Sequence, residues 1–184
     1  MQEPIPGAAT SGAPPGFGPT GRLLLALSKA LSMVGGLVFV ALVVMSIVSI
    51  VGRKLASAPV PGDVEMLQMC AAFATACFFA YCHLVGGDVK VDFFTARCSD
   101  RARAWMDAAG SLLFGLVGAV LAWRSAVGAL DMRESGETSV ILGWPVWLAQ
   151  MLMLPGLVLM AMAGLYMVGV HLRSPDTVMT GAVR

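Results

Sequence analysis

Few residues of this chain are of the types that do chemistry, and their spacing argues against most of the chemistry they could do. Two histidines, His83 and His171, could serve as paired axial ligands of a haem held in a helical bundle. Each stands near the end of a long apolar stretch, where an imidazole is expected at the membrane interface rather than on a metal. Four cysteines, Cys70, Cys77, Cys82 and Cys98, raise quinone-linked thiol oxidation. That reaction needs reactive cysteine pairs in loops, whereas three of these lie in one apolar run and none forms a CxxC. They read as small apolar helix residues, with no disulfide framework. A glycine-rich phosphate loop, an HExxH and a paired Cys/His metal spacing are all missing. No catalytic, cofactor-binding or metal-binding residue is therefore expected, and the chain does not read as an enzyme.

The remaining polar residues stand at the edges of apolar runs. Arg53 and Lys54 close the first run, Pro59-Val60-Pro61-Gly62 makes a turn, and Asp63 and Glu65 open the second. Such charges either sit in the headgroup zone, cations snorkelling and acids favouring a helix N-terminus, or pair across the turn. Lys90 and Asp92 lie between the second and third runs, before a basic stretch holding Arg97, Arg101 and Arg103 beside Trp105. Arg97 and Arg101 share a helical face, which suits an interfacial amphipathic helix on anionic lipid headgroups; alternatively Ser99 caps a long third helix. A polar loop from about residue 126 to 143 carries Asp131, Arg133, Glu134 and Glu137 and leads through Ser139 into Trp144-Pro145-Val146-Trp147. It is either a partner-binding loop or a solvated connector.

The elements that must position these residues are membrane spans. Hydrophobic residues make up 58% of the 184, charged ones 12%, and mean hydropathy is +0.81. Soluble domains are about half apolar and a quarter charged, so this surface is not built for water. Uncharged runs cover Ala30–Gly52, Met66–Gly87, Ala108–Trp123 and Ser139–Val170, and crossing ~30 Å of hydrocarbon takes about 20 residues. In lipid the backbone must satisfy its own hydrogen bonds, so each run is a helix. The reading is an all-α integral membrane protein with spans at about 30–52, 66–87, 106–130 and 145–170. They form a domain over residues 22–173. A Pro/Gly-rich tail, expected to be disordered, covers residues 1–21, and a second tail covers 174–184. Eight of the twelve Lys and Arg fall on one side if the N-terminus is cytoplasmic, which places both termini inside. Ser111, Gly115 and Ala119, like Ala72, Ala76 and Ala80, are spaced for close helix packing, and Pro155 should kink the fourth span. A net charge of +1 offers nothing to nucleic acid.

These residues resemble the small membrane subunit, the Q-type permease, of tripartite ATP-independent periplasmic (TRAP) transporters. Arg53 closing the first span and Glu65 opening the second are similar to that family's pattern. So are Gly87-Asp88-Val89-Lys90-Val91-Asp92, Ser139 to Trp147, and Leu154-Pro155-Gly156. The resemblance covers about residues 25–172, with Asp88 where the family usually has histidine. It implies a bacterial inner-membrane scaffold subunit without a cofactor, surrounded by membrane lipids. Its partners would be a large permease, holding the substrate and sodium sites, and a periplasmic solute-binding protein that delivers a carboxylate. Arg53, Glu65, Lys90, Asp92, Glu137, Ser139, Pro145 and Trp147 become candidate partner contacts. Arg97, Arg101, Arg103 and Trp105 become candidate lipid contacts. The alternatives are the small subunit of a tripartite tricarboxylate transporter and a membrane redox or haem anchor.

Overall fold

The computed structural model describes residues 17–56, 60–87 and 100–173. Four helices account for nearly all of them: α1 (Pro19–Ala56), α2 (Asp63–Leu84), α3 (Asp100–Ser135) and α4 (Val146–Arg173). All four are long and apolar enough to cross a membrane. With 22 residues, α2 is about 33 Å long and matches the hydrocarbon thickness. The other three are longer. The segment 88–99, with its expected interfacial helix and the Ser99 cap, lies outside the described residues.

Helix α1 begins at Pro19, inside the stretch read from composition as tail. Proline costs nothing in a first helical turn, where its missing N–H would have no partner. Just before it, the buried ring of Phe17 meets Tyr166 of α4 edge to face, with centroids 5.3 Å apart. The Gly18 N–H donates to the Tyr166 hydroxyl at 3.2 Å. The start of α1 is therefore fastened to the end of α4.

The helices form a layer in the order α1, α2, α4, α3 rather than a closed square, because α4 packs against both α2 and α3 while α1 leans mainly on α2. Side-chain size explains the close approaches. On α1, Gly21, Ser28, Gly35, Leu42 and Ser49 are buried, one every seven residues. That period keeps one seam of a helix against its neighbour. A β-carbon on Gly35 would lie 2.8 Å from that of Cys77 and 3.1 Å from the Ala74 carbonyl oxygen. The Ser32 hydroxyl bridges the same seam to the Cys77 carbonyl at 3.1 Å. The opposite flank of α2, Ala76 and Ala80, receives α4, where Gly156 sits on the Ala76 carbonyl. Between α3 and α4 the contact is backbone to backbone, with Gly115 and Gly118 facing Gly164 and Ala161. The expected stripe on α3 is therefore shifted by one residue. Ser111 and Gly115 are in it, but the third position is Gly118, and Ala119 is exposed. Helix α4 runs through Pro155 without interruption.

Candidate functional site

The turn between α1 and α2 and the loop between α3 and α4 lie at the same end of the layer and are joined by one carboxylate. Gly62 enters α2 with φ of 74°, a left-handed conformation that a β-carbon disfavours. This lets the chain reverse within a few residues of α1. It also leaves a space that Leu142 fills, since a β-carbon on Gly62 would lie 2.6 Å from the Leu142 Cγ.

Two acids open α2, and they do different things. Asp63 turns back to α1, where its carboxylate accepts from the buried Ser49 hydroxyl at 2.5 Å and from the Arg53 guanidinium at 3.3 Å. The Arg53 side chain is 61% exposed, so this is a surface pair of little worth. Glu65 reaches instead into the α3–α4 loop. Its carboxylate accepts from the Ser139 hydroxyl, from the Ile141 N–H at 3.1 Å and from the Leu142 N–H at 3.2 Å. An ionised carboxylate receiving a hydroxyl and two backbone N–H groups is a strong anchor, because its lone pairs match donors that otherwise need water. Pairing across the turn, one reading of the sequence, is present as Arg53 with Asp63, while Glu65 bonds Ser139 instead.

The loop is closed by its own backbone as well. The Ser139 N–H donates to the Trp144 carbonyl at 2.7 Å, the Gly143 N–H to the Ser139 carbonyl at 3.1 Å, and the Val146 N–H to the Glu137 carbonyl at 3.2 Å. Thr138 and Pro145 face each other as an isolated antiparallel bridge. Pro145 stands directly before α4 and accepts from the Leu148 N–H at 3.2 Å, so it fixes the start of that helix. Arg133 holds its guanidinium 5.4 Å from the Trp147 ring centroid, tying the end of α3 to the first turn of α4. Of the candidate partner contacts, Glu65, Ser139, Pro145 and Trp147 thus build one rigid corner. Arg53 flanks it, and Glu137 is exposed beside it. Lys90, Asp92 and Arg97 lie outside the described residues, as does the side chain of Arg101. Arg103 is half-buried in the first turn of α3, and Trp105 is 67% exposed on the outer face.

At the opposite end, α2 and α3 flank α4 and leave a gap between themselves. It forms a cavity of about 240 Å³ lined by His83, Asp107, Ser111, Phe114, Met167 and His171, among others. Both histidines are buried, at 7% and 5% exposure, and the His83 ring stacks on Phe114 with centroids 4.2 Å apart. Both stand near a helix end, as the sequence indicates, with their rings turned into the protein rather than outward. His83 continues the buried flank of Ala76 and Ala80, and His171 continues that of Ala163 and Met167. Each stands three or four residues along its stripe, and that spacing was the available signal. Among the described residues, no group of three His, Cys, Asp or Glu side chains is placed to hold a metal ion.

A family model described as the DctQ component of tripartite ATP-independent periplasmic transporters matches residues 42–174. The chain belongs to the DctQ family. No curated protein and no solved structure matches it. The matched segment runs from the middle of α1 to the end of α4 and contains both the Glu65 corner and the histidine cavity. DctQ is a transporter component and not an enzyme family. With its four spanning helices, this DctQ chain is a multi-pass membrane protein and a small subunit of a tripartite system.

Proposed function

We propose that this chain is the fixed scaffold subunit of a sodium-driven TRAP transporter in a bacterial inner membrane. The complex takes up a carboxylate solute, and both termini of this chain are cytoplasmic. The observation that carries the reading is the distribution of charge along unbroken helices. Ala30–Gly52, Ala108–Trp123 and Val146–Val170 contain no Asp, Glu, Lys or Arg. Secondary transporters place ionisable groups or broken helix ends near the midplane to meet an ionic solute. This layer offers an anion neither, so translocation falls to the large permease.

In this reading the cation count puts the Glu65 corner on the periplasmic side. The corner holds the α3–α4 loop still, and exposed Arg53, Glu134 and Glu137 form its polar rim, where the binding protein docks. Glu65, Ser139 and Pro145 position that surface rather than touch the partner. Lys90 and Asp92 belong to the cytoplasmic connection, with Arg97, Arg101, Arg103 and Trp105 at the lipid headgroups. The large permease packs on the apolar outer faces of the layer. Co-expression of this chain with a tagged large permease from the same operon tests the assignment. The two should co-purify in mild detergent in equal amounts, and recovery of the permease without this chain would refute it.

A further inference from the structure

The tip of the α3–α4 loop has an exposure pattern that docking of a soluble protein does not require. Three aliphatic residues follow Ser139, and Leu142 alone turns inward onto Gly62. Val140 is 94% exposed, Ile141 62%, and the nearby Trp144 55%. In water such a tip would be costly, since apolar side chains are driven out of it. Its depth is set by what holds it. The Arg53–Asp63 pair marks the polar boundary, at the end of one apolar helix and the first residue of the next. Glu65 lies two residues further into α2, about 3 Å deeper along the axis. The Ile141 and Leu142 N–H groups are bonded to its carboxylate. Because α2, at about 33 Å, exceeds the ~30 Å of hydrocarbon by less than one turn, its first turn cannot stand far out in the aqueous phase.

We propose that the loop 138–145 folds back to the membrane and inserts Val140 and Ile141 among the lipids at the headgroup–acyl boundary, with Trp144 beside them as an interfacial anchor. The occupant of this apolar tip is the bilayer itself. The spans it connects also expose large apolar side chains, and Trp144 is of the type that settles at that depth. Satisfying the backbone N–H groups of the tip by Glu65 is what permits it, since unpaired N–H groups could not enter that layer. The inference requires only that the helices span a membrane and does not depend on the transporter assignment.

Spin labels at Val140→Cys and, separately, Ile141→Cys test it. The protein would be full length, with its four native cysteines replaced by alanine or serine, in phosphatidylethanolamine–phosphatidylglycerol vesicles. Collision rates with oxygen, which partitions into lipid, are compared with those of a water-soluble nickel chelate. Leu113→Cys on the exposed face of α3 supplies the lipid reference, and Glu137→Cys the aqueous one. Both tip positions should favour oxygen as Leu113 does, and adding Glu65→Ala should shift them toward the chelate. A tip that matches Glu137 would overturn the proposal. So would a tip that loses both reagents when the large permease is co-reconstituted, which would mean a protein partner covers it.

Discussion

Substituting Gly164 by alanine should separate α3 from α4, and the size of the effect follows from the contact. A β-carbon at Gly164 would lie 2.5 Å from the Cα and N of Gly115 and 2.7 Å from the Ser111 carbonyl oxygen. All three are backbone atoms, so no side chain can swing away. Ordinary carbon contacts sit at about 3.5–4.0 Å, which means the helices must part by roughly 1 Å. Such a gap forfeits a quarter to a half of each dispersion contact of ~0.1–0.2 kcal/mol, and over on the order of 30 atom pairs this comes to about 2 kcal/mol. That falls within the 1–3 kcal/mol usual for overpacking. In a membrane, packing of this kind is what holds helices together, since lipid and side chain are equally apolar. Alanine also favours the helix over glycine, by up to about 1 kcal/mol. Gly169→Ala, on the same helix with nothing within 4 Å of the added carbon, has the same gain and removes it from the comparison. Unfolding in mixed micelles by titrated dodecyl sulfate, followed by circular dichroism, should place Gly164→Ala about 2 kcal/mol below Gly169→Ala. Equal midpoints would refute the backbone-to-backbone crossing.

Removing the anchor in Glu65→Ala should leave the helices intact but free the loop, so that protease added from the loop side cuts between residues 136 and 145 at least several-fold faster. Arg53→Ala should leave that rate unchanged, because the Arg53–Asp63 pair is exposed and does not touch the loop. Reporter fusions should show a cytoplasmic C-terminus after Arg184 and a periplasmic loop at 131–137, and the reverse pattern would invert the assignment of the Glu65 corner.

Much of the fold was legible in uncharged run length, because a bilayer demands self-satisfied helices of a fixed minimum length. The true ends were not. Helix α1 starts eleven residues before its apolar run, at Pro19 instead of Ala30, because its first turns pack on Tyr166 rather than lipid and need not be uniformly apolar. The heptad of Gly21, Ser28, Gly35, Leu42 and Ser49 was present in the sequence, but its members differ in hydropathy, and four of the five share only small size. Ser139 and Glu65 stood out individually. Their bond, across 74 residues, could not be read from either segment, since it depends on α3 and α4 returning the loop to the start of α2. The inward facing of the histidines was not read, because a helix end indicates depth and not direction. In this layer the ends of α2 and α4 adjoin α3, so His83 and His171 line a half-open pocket between α2 and α3.

The central claim is that this subunit is required for uptake but moves nothing itself. Proteoliposomes can be prepared with this chain alone, with the large permease alone, and with both, each with the binding protein and an inward sodium gradient. Radiolabelled solute, chosen by a thermal-shift screen of the binding protein, reports transport. Uptake should appear only with both membrane subunits and should collapse when sodium is balanced. Sodium-dependent uptake by this chain alone, or undiminished uptake by the large permease without it, would contradict the account.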